Sequence, residues 1–120
     1  MRIRQVAMVT IQVNDFDTMV AWYRDVLGLT VGWFEPGEFC TLIAENEDGA
    51  VLALATDHPD RISHQPGGWT PTFAVDDLDA AIAHLRSHGV ELEGDEEGAD
   101  EGYRLVRVRD PEGNAIGFTI

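Results

Sequence analysis

From Val6 to Val13 the chain alternates, with Ala7, Val9, Ile11 and Val13 on one face and Val6, Met8, Thr10 and Gln12 on the other, the period of a half-buried strand. The period then changes. Asp15 is placed to cap a helix running to about Val26, in which Phe16, Met19, Val20, Tyr23 and Leu27 recur at helical spacing and Gly28 supplies the stop. Thr30 to Glu35, Phe39 to Glu45 and Ala50 to Thr56 read as three antiparallel strands, parted by the turn segments "PGE" and "NEDG". Residues 57–68, "DHPDRISHQPGG", are rich in Pro, Gly and Asp and read as a connecting loop. Beyond it the opening pattern returns. Trp69 to Val75 is a predicted strand, and Leu78 to His88 a helix with Leu78, Ala81, Ile82 and Leu85 inward and Gly89 at its end. Val90 to Glu93, Tyr103 to Arg109 and Ala115 to Ile120 complete the expected strands, split by the acidic "GDEEGADEG" and by "DPEGN".

The two halves are an internal repeat. Sliding the chain by 62 residues lays "VTIQVNDFDTMVAWYRDV" on "PTFAVDDLDAAIAHLRSH", matching Thr10 with Thr72, Val13 with Val75, Asp15 with Asp77, Asp17 with Asp79, Ala21 with Ala83 and Arg24 with Arg86. Each half reads as a βαβββ unit, approximately 1–57 and 68–120. A unit of about 60 residues with one helix can barely hide its own sheet, so the expectation is an α+β fold: one domain over 1–120 with a single curved mixed sheet, helices on its outer face and a concave inner face. Such a concavity suits a small molecule.

Composition limits the function classes. The 120 residues carry 22 acids against 8 Lys and Arg, a formal charge of -14, which disfavours nucleic-acid phosphates and favours cationic small molecules, or else simply keeps the surface solvated. No apolar run is long enough to span a membrane. The N-terminal "MRIRQVAMVTIQV" alternates instead of forming a signal-type apolar stretch, so a cytoplasmic location is expected. The lone Cys40 sits in an apolar segment as a small core residue would.

The motifs "VNDFDTMVAWYRDVLGL", "FAVDDLDAAIAHLRSHGV" and "DPEGN", in this order, resemble the vicinal oxygen chelate superfamily, which holds glyoxalase I, extradiol dioxygenases, fosfomycin-resistance enzymes and bleomycin-resistance proteins. The resemblance covers nearly the whole chain. It implies a fold that hosts many activities, so function rests on the site. Metal-using members carry His or Glu at four inner-face positions, and the matching positions here are Met8, Ala53, Thr70 and Gly117. None of the four is a useful ligand, because Zn, Fe or Mn needs imidazole, carboxylate or thiolate donors. No metal or other cofactor is therefore expected. His84 and His88 are four apart on the side of their helix away from Leu78, Ala81 and Leu85, hence toward solvent, and "HLRSH" lacks the Glu of a zincin motif. His58 and His64 lie in the loop, either edging a pocket or merely solvated.

Alternation puts Val9, Ile11, Val13, Phe73, Val75, Ile116, Phe118 and Ile120 under the helices. The inner face then includes Met8, Thr10, Gln12, Val51, Ala53, Ala55, Thr70, Thr72, Ala74, Ala115, Gly117 and Thr119, a small and lightly polar lining. If Arg109 pairs with Ala115, Arg107 stands opposite Gly117 and shares this face with Tyr103 and Leu105. The hydrogen at Gly117 leaves room for Arg107, which either forks a ligand carboxylate or enolate or pairs with a nearby acid. Trp33, Phe34, Trp69 and Tyr103 offer aromatic faces to a flat or cationic ligand, or else pack, whereas Trp22 and Tyr23 match the family's structural pair. The expected ligand-binding set is Met8, Thr10, Trp33, Ala53, Trp69, Thr70, Tyr103, Arg107 and Gly117.

Two functions follow as expectations. One is a metal-free binding protein similar to the bleomycin-resistance branch, sequestering an aromatic or cationic compound in a cup between the repeats; the resemblance implies a homodimer. The other is a metal-independent glyoxalase-fold enzyme of isomerase, lyase or cyclase type, with Arg107 holding an anionic or carbonyl substrate while Tyr103, His58 or His64 moves a proton.

Overall fold

The computed structural model describes residues 1–2, 6–45, 50–56 and 70–120, so Trp69, His58, His64 and the expected loop 57–68 lie outside the described residues. The chain divides into two compact units, Met1–His64 and Gln65–Ile120. The fold is α+β. Among the described residues the strands hydrogen-bond as two sheets, one in each unit, where the sequence suggests a single curved one.

In the first unit, alternation yields β1 (Met8–Val13), in which Ile11 and Val13 are buried while Met8 and Thr10 are exposed. Asp15 then caps α1 (Phe16–Ala21), accepting the Thr18 N–H at 3.3 Å and the Thr18 hydroxyl at 2.8 Å. The helix does not continue to Val26 in α form as expected. It widens into a π-helical turn over Trp22–Val26, where Tyr23 is fully buried and the Trp22 ring meets it edge-on with centroids 5.0 Å apart. Three strands follow: β2 (Thr30–Glu35), β3 (Phe39–Ile43) and β4 (Val51–Thr56). The sheet order is β1-β4-β3-β2, with β1 parallel to β4 and the other pairs antiparallel. Ile11, Val13, Phe16, Met19, Val20, Cys40, Leu42, Leu52 and Leu54 form the core, each large side chain contributing about 1.5–3 kcal/mol by leaving water. Burial pushes the Cys40 thiol pKa up, which suits a core residue and not a nucleophile.

In the second unit, β5 (Thr72–Ala74), α2 (Leu78–Ser87), β6 (Leu105–Arg109) and β7 (Ala115–Thr119) give a sheet of order β5-β7-β6. Asp77 caps α2 by accepting the Ala80 N–H at 3.0 Å, the counterpart of Asp15 that the repeat leads one to expect. Leu78, Leu85, Val106, Val108, Ile116 and Phe118 are buried, and the Phe73 ring packs on Phe118 with centroids 5.8 Å apart. Ile120 departs from its expected core place and is 56% exposed, lying beyond the end of β7.

Val90–Glu93 is not a strand, contrary to the alternation reading. The backbone there meets β6 through the Glu93 N–H, which donates to the Arg107 carbonyl at 2.7 Å, and further on through a bridge between Glu97 and Leu105. Four residues advance along this segment while β6 advances two, and the surplus bulges out at Gly94, whose φ of +73° is open to glycine. By contrast "DPEGN" forms the expected tight turn. Asp110 is buried at its centre, accepting the backbone N–H groups of Glu112 and Asn114 at 3.0 and 2.8 Å and the Asn114 side-chain amide at 2.8 Å.

Candidate functional site

The face of the first sheet opposite the core is defined by register. One row across the four strands runs Gln12, Ala55, Phe39, Glu35; the next runs Thr10, Ala53, Thr41. Met8 pairs with Val51 at the far end of β1. A bulge interrupts the second row, since Val31 pairs with Leu42 but Phe34 pairs with Cys40, leaving Gly32 and Trp33 together opposite Thr41. The Thr41 hydroxyl takes up the freed Trp33 backbone N–H at 2.8 Å. A Cβ on Gly32 would come within 2.7 Å of that oxygen and 2.8 Å of Ile43 Cδ1, so any larger residue forces those two side chains to move.

The bulge sets Trp33 on this face beside Glu35. The indole Nε1 donates to Glu35 Oε1 at 3.1 Å while 65% of Trp33 stays exposed. Met8 and Thr10 are exposed as well, whereas Ala53 and Ala55 on the interior strand β4 are wholly buried. Four expected site residues, Met8, Thr10, Trp33 and Ala53, thus share one face. Phe34 does not join them, because its ring turns to Phe16 on the core side with centroids 5.8 Å apart.

In the second sheet, Gly117 lies between Thr72 and Arg107, the expected register. Two details differ from the sequence reading. The room above Gly117 is taken by Thr72, whose Oγ1 would stand 2.7 Å from an added Cβ. The Arg107 guanidinium is paired through Nη1 with Glu97 Oε2. Its neighbours behave alike: Arg109 pairs with Glu93, its Nη2 reaching Oε1 at 2.7 Å, and Arg104 Nη2 pairs with Glu96 at 2.7 Å and Asp79 at 2.8 Å. Arg104 holds the Glu96 and Asp79 carboxyls below their ordinary range, chiefly by hydrogen bonding, and Arg109 does the same to Glu93. Tyr103 precedes β6 instead of opening it, and its ring packs over Gly98 where any side chain would collide. Thr70 is exposed, and its carbonyl accepts the Thr72 hydroxyl at 3.5 Å.

The donor chemistry at Met8, Ala53, Thr70 and Gly117 does not fit a metal, and among the described residues no three His, Cys, Asp or Glu side chains converge on one point. His84 and His88 are exposed, with rings 4.6 Å apart and His88 Nδ1 3.0 Å from the His84 carbonyl oxygen. A shallow depression of about 550 Å³ in the second unit, edged by Arg86, Val90, Leu92, Asp95 and Glu96, contains none of the expected site residues. No helix among the described residues is long and apolar enough to cross a membrane.

The family model described as Glyoxalase/Bleomycin resistance protein/Dioxygenase superfamily matches residues 5–118. The chain belongs to this superfamily. A superfamily member from Sphaerobacter thermophilus is similar at 26% identity, covering 98% of this chain and 97% of its own, with a TM-score of 0.79. TnmS3, an antibiotic binding protein from a Streptomyces species, is similar at 25% identity over 98% and 96% of the two chains, also with a TM-score of 0.79. Lactoylglutathione lyase from Agrobacterium tumefaciens shares the fold at 21% identity, covering 95% of this chain and 91% of its own, with a TM-score of 0.72. No curated protein matches the sequence.

Within this superfamily fold, sequence reasoning missed Glu35 and Glu97, the two acids that fix Trp33 and Arg107. A glycine inside the apolar run "TVGWFE" was the available signal for the bulge. Nothing in the acidic "GDEEGADEG" singles out Glu97 from its neighbours, since the pairing depends on how far the bulge at Gly94 advances the chain.

Proposed function

We propose that this superfamily member binds a planar aromatic cation on the outward face of its first sheet, without a metal, and sequesters it. The observation that carries the reading is the Trp33–Glu35 pair: an exposed indole plane held in one orientation by a carboxylate, on the sheet face that also carries Met8, Thr10 and Ala53. Tryptophan is the best aromatic partner for a cation, worth about 0.5–2 kcal/mol, and the adjacent carboxylate supplies opposite charge. The net charge of -14 raises the local concentration of cations, and the likeness to an antibiotic binding protein supports an antibiotic-type small-molecule ligand. A homodimer, as the family resemblance implies, belongs to this proposal.

Isothermal titration with a panel of planar and glycopeptide antibiotics tests it. Saturable binding by a planar cationic member, lost in Trp33→Ala, is the expected result; silence across the panel, or binding that ignores Trp33→Ala, overturns it. The enzymatic alternative needs Arg107 open to an anion, and the pairing of Arg107 with Glu97 counts against it.

A further inference from the structure

His84 and His88 lie one helical turn apart at the C-terminal end of α2, a spacing that sets two side chains over one another on the same face. Both are exposed, and their ring centres stand 4.6 Å apart with the planes tilted by 49°. Two imidazoles on adjacent positions of one metal ion, each bound at about 2.0–2.1 Å, have ring centres about 4.5 Å apart. The pair already has the separation that chelation requires.

The second ring is also held in the right protonation form. His88 Nδ1 lies 3.0 Å from the His84 carbonyl oxygen, and the Ser87 hydroxyl gives its hydrogen to the same oxygen at 2.6 Å. A carbonyl can only accept, so Nδ1 carries the ring hydrogen and Nε2 keeps its lone pair. Metal-binding histidines are commonly held this way, with one ring nitrogen on a backbone carbonyl and the other on the ion. The negative end of the helix dipole favours a cation at this place, as does the net charge of -14.

We propose that His84 and His88 chelate a divalent transition-metal ion of the imidazole-preferring class, Cu(II) most tightly and Ni(II) and Zn(II) less so. Neither histidine is among Met8, Ala53, Thr70 and Gly117, and the pair lies in the second unit, so the proposal does not depend on the aromatic-cation reading. Among the described residues no third His, Cys, Asp or Glu joins them. The pair supplies two of the ion's positions and water the rest, which makes the site exchangeable and leaves the ion able to take a donor from a small molecule.

Cu(II) titration of the full chain tests this, with wild type, His84→Gln and His88→Gln compared in a non-coordinating buffer containing excess Mg(II). Mg(II) competes for carboxylates and leaves imidazole to Cu(II). Calorimetry gives the affinity, and paramagnetic broadening of the histidine ring protons at substoichiometric Cu(II) locates the ion. The His84 and His88 rings of wild type should broaden together and before other signals. Each single variant should weaken the site about tenfold or more, at least what losing a supporting partner costs a metal site, and its remaining ring should no longer broaden first. Circular dichroism checks that the helix persists in the variants. Absence of binding, broadening of only one of the two rings in wild type, or equal affinity in all three proteins would overturn the proposal. Binding abolished by Mg(II) would overturn it as well, by assigning the ion to surface carboxylates.

Discussion

The Thr41 hydroxyl occupies the space in which Gly32 would carry a Cβ, 2.7 Å away, and accepts the Trp33 N–H at 2.8 Å. One oxygen therefore closes the bulge and fixes the course of the next residue. Gly32→Ala forces Thr41 and Ile43 to give way, and overpacking of this kind costs about 1–3 kcal/mol. Urea unfolding should show that loss. Thr41→Ala should partly relieve it in the double variant, so the two changes combine non-additively; independent effects would mean that the two residues do not meet.

Trp33 and Glu35 should matter for binding more than for stability. The indole is largely exposed, so Trp33→Ala should change stability by no more than about 0.5 kcal/mol while removing the proposed ligand platform. Glu35→Gln can keep an oxygen for the indole N–H and loses only the charge. It should weaken a cationic aromatic ligand and leave a neutral one unaffected, and parallel titrations of one ligand of each kind check this.

Much of the fold was legible because burial and period agree where they matter. Ile11, Val13, Leu52 and Leu54 alternate with the residues of the outward face, and Asp15 and Asp77 cap helices at equivalent places in the repeat. The register at Gly117 was readable too, since a short turn leaves Arg109 little choice but Ala115. What failed were features settled by close contact. The Trp22–Tyr23 pair sits in a π-helical turn that retains helical spacing in the sequence. The segment Val90–Glu93 carries strand-like residues but meets too few β6 hydrogen bonds, because Gly94 lets the chain bulge. The partner of Arg107 was one of several nearby acids, and only geometry distinguishes Glu97.

That pairing gives a prediction for the second unit. Arg107 and Glu97 are each nearly half exposed, so Glu97→Gln should cost no more than about 1 kcal/mol. It should, however, free the guanidinium beside Thr72 and Gly117. Nitrogen NMR of the arginine side chains during an acetate titration should show Arg107 responding in the variant and not in wild type. A wild-type response of equal size would mean that Glu97 does not occupy it.

The buried Asp110 is a polar centre of the same unit, accepting three N–H donors within one turn. Asp110→Ala strands those donors, and the loss should be about 1–3 kcal/mol on the scale of unsatisfied buried groups. Asp110→Asn retains one acceptor oxygen and should fall between wild type and alanine. Thermal melts rank the three; an alanine variant as stable as wild type would mean that the hairpin closes by register alone.

Acid should loosen the segment held by Arg104 before it loosens the β6–β7 pairing. Glu96 and Asp79 are held low by hydrogen bonds from Arg104, and Glu93 by the two from Arg109. A carboxyl with a depressed folded pKa stabilises the fold above its unfolded value, about 4 for these groups, and that contribution is lost as pH falls through the lower folded value. The general effect of charge runs the other way at first. With 22 acids against 8 bases, discharging unpaired carboxylates on the way down from pH 7 relieves repulsion before the paired ones are reached. The Glu97 and Leu105 amides bond each other's carbonyls at 2.8 and 3.0 Å and report the seam directly. Their hydrogen exchange, corrected for intrinsic rate, should accelerate below about pH 4 while amides within β7 remain protected. Arg104→Gln should remove much of that acid dependence by already breaking the Glu96 and Asp79 pairs at neutral pH. If the seam opens at the same pH in wild type and variant, the arginine pairs do not hold it.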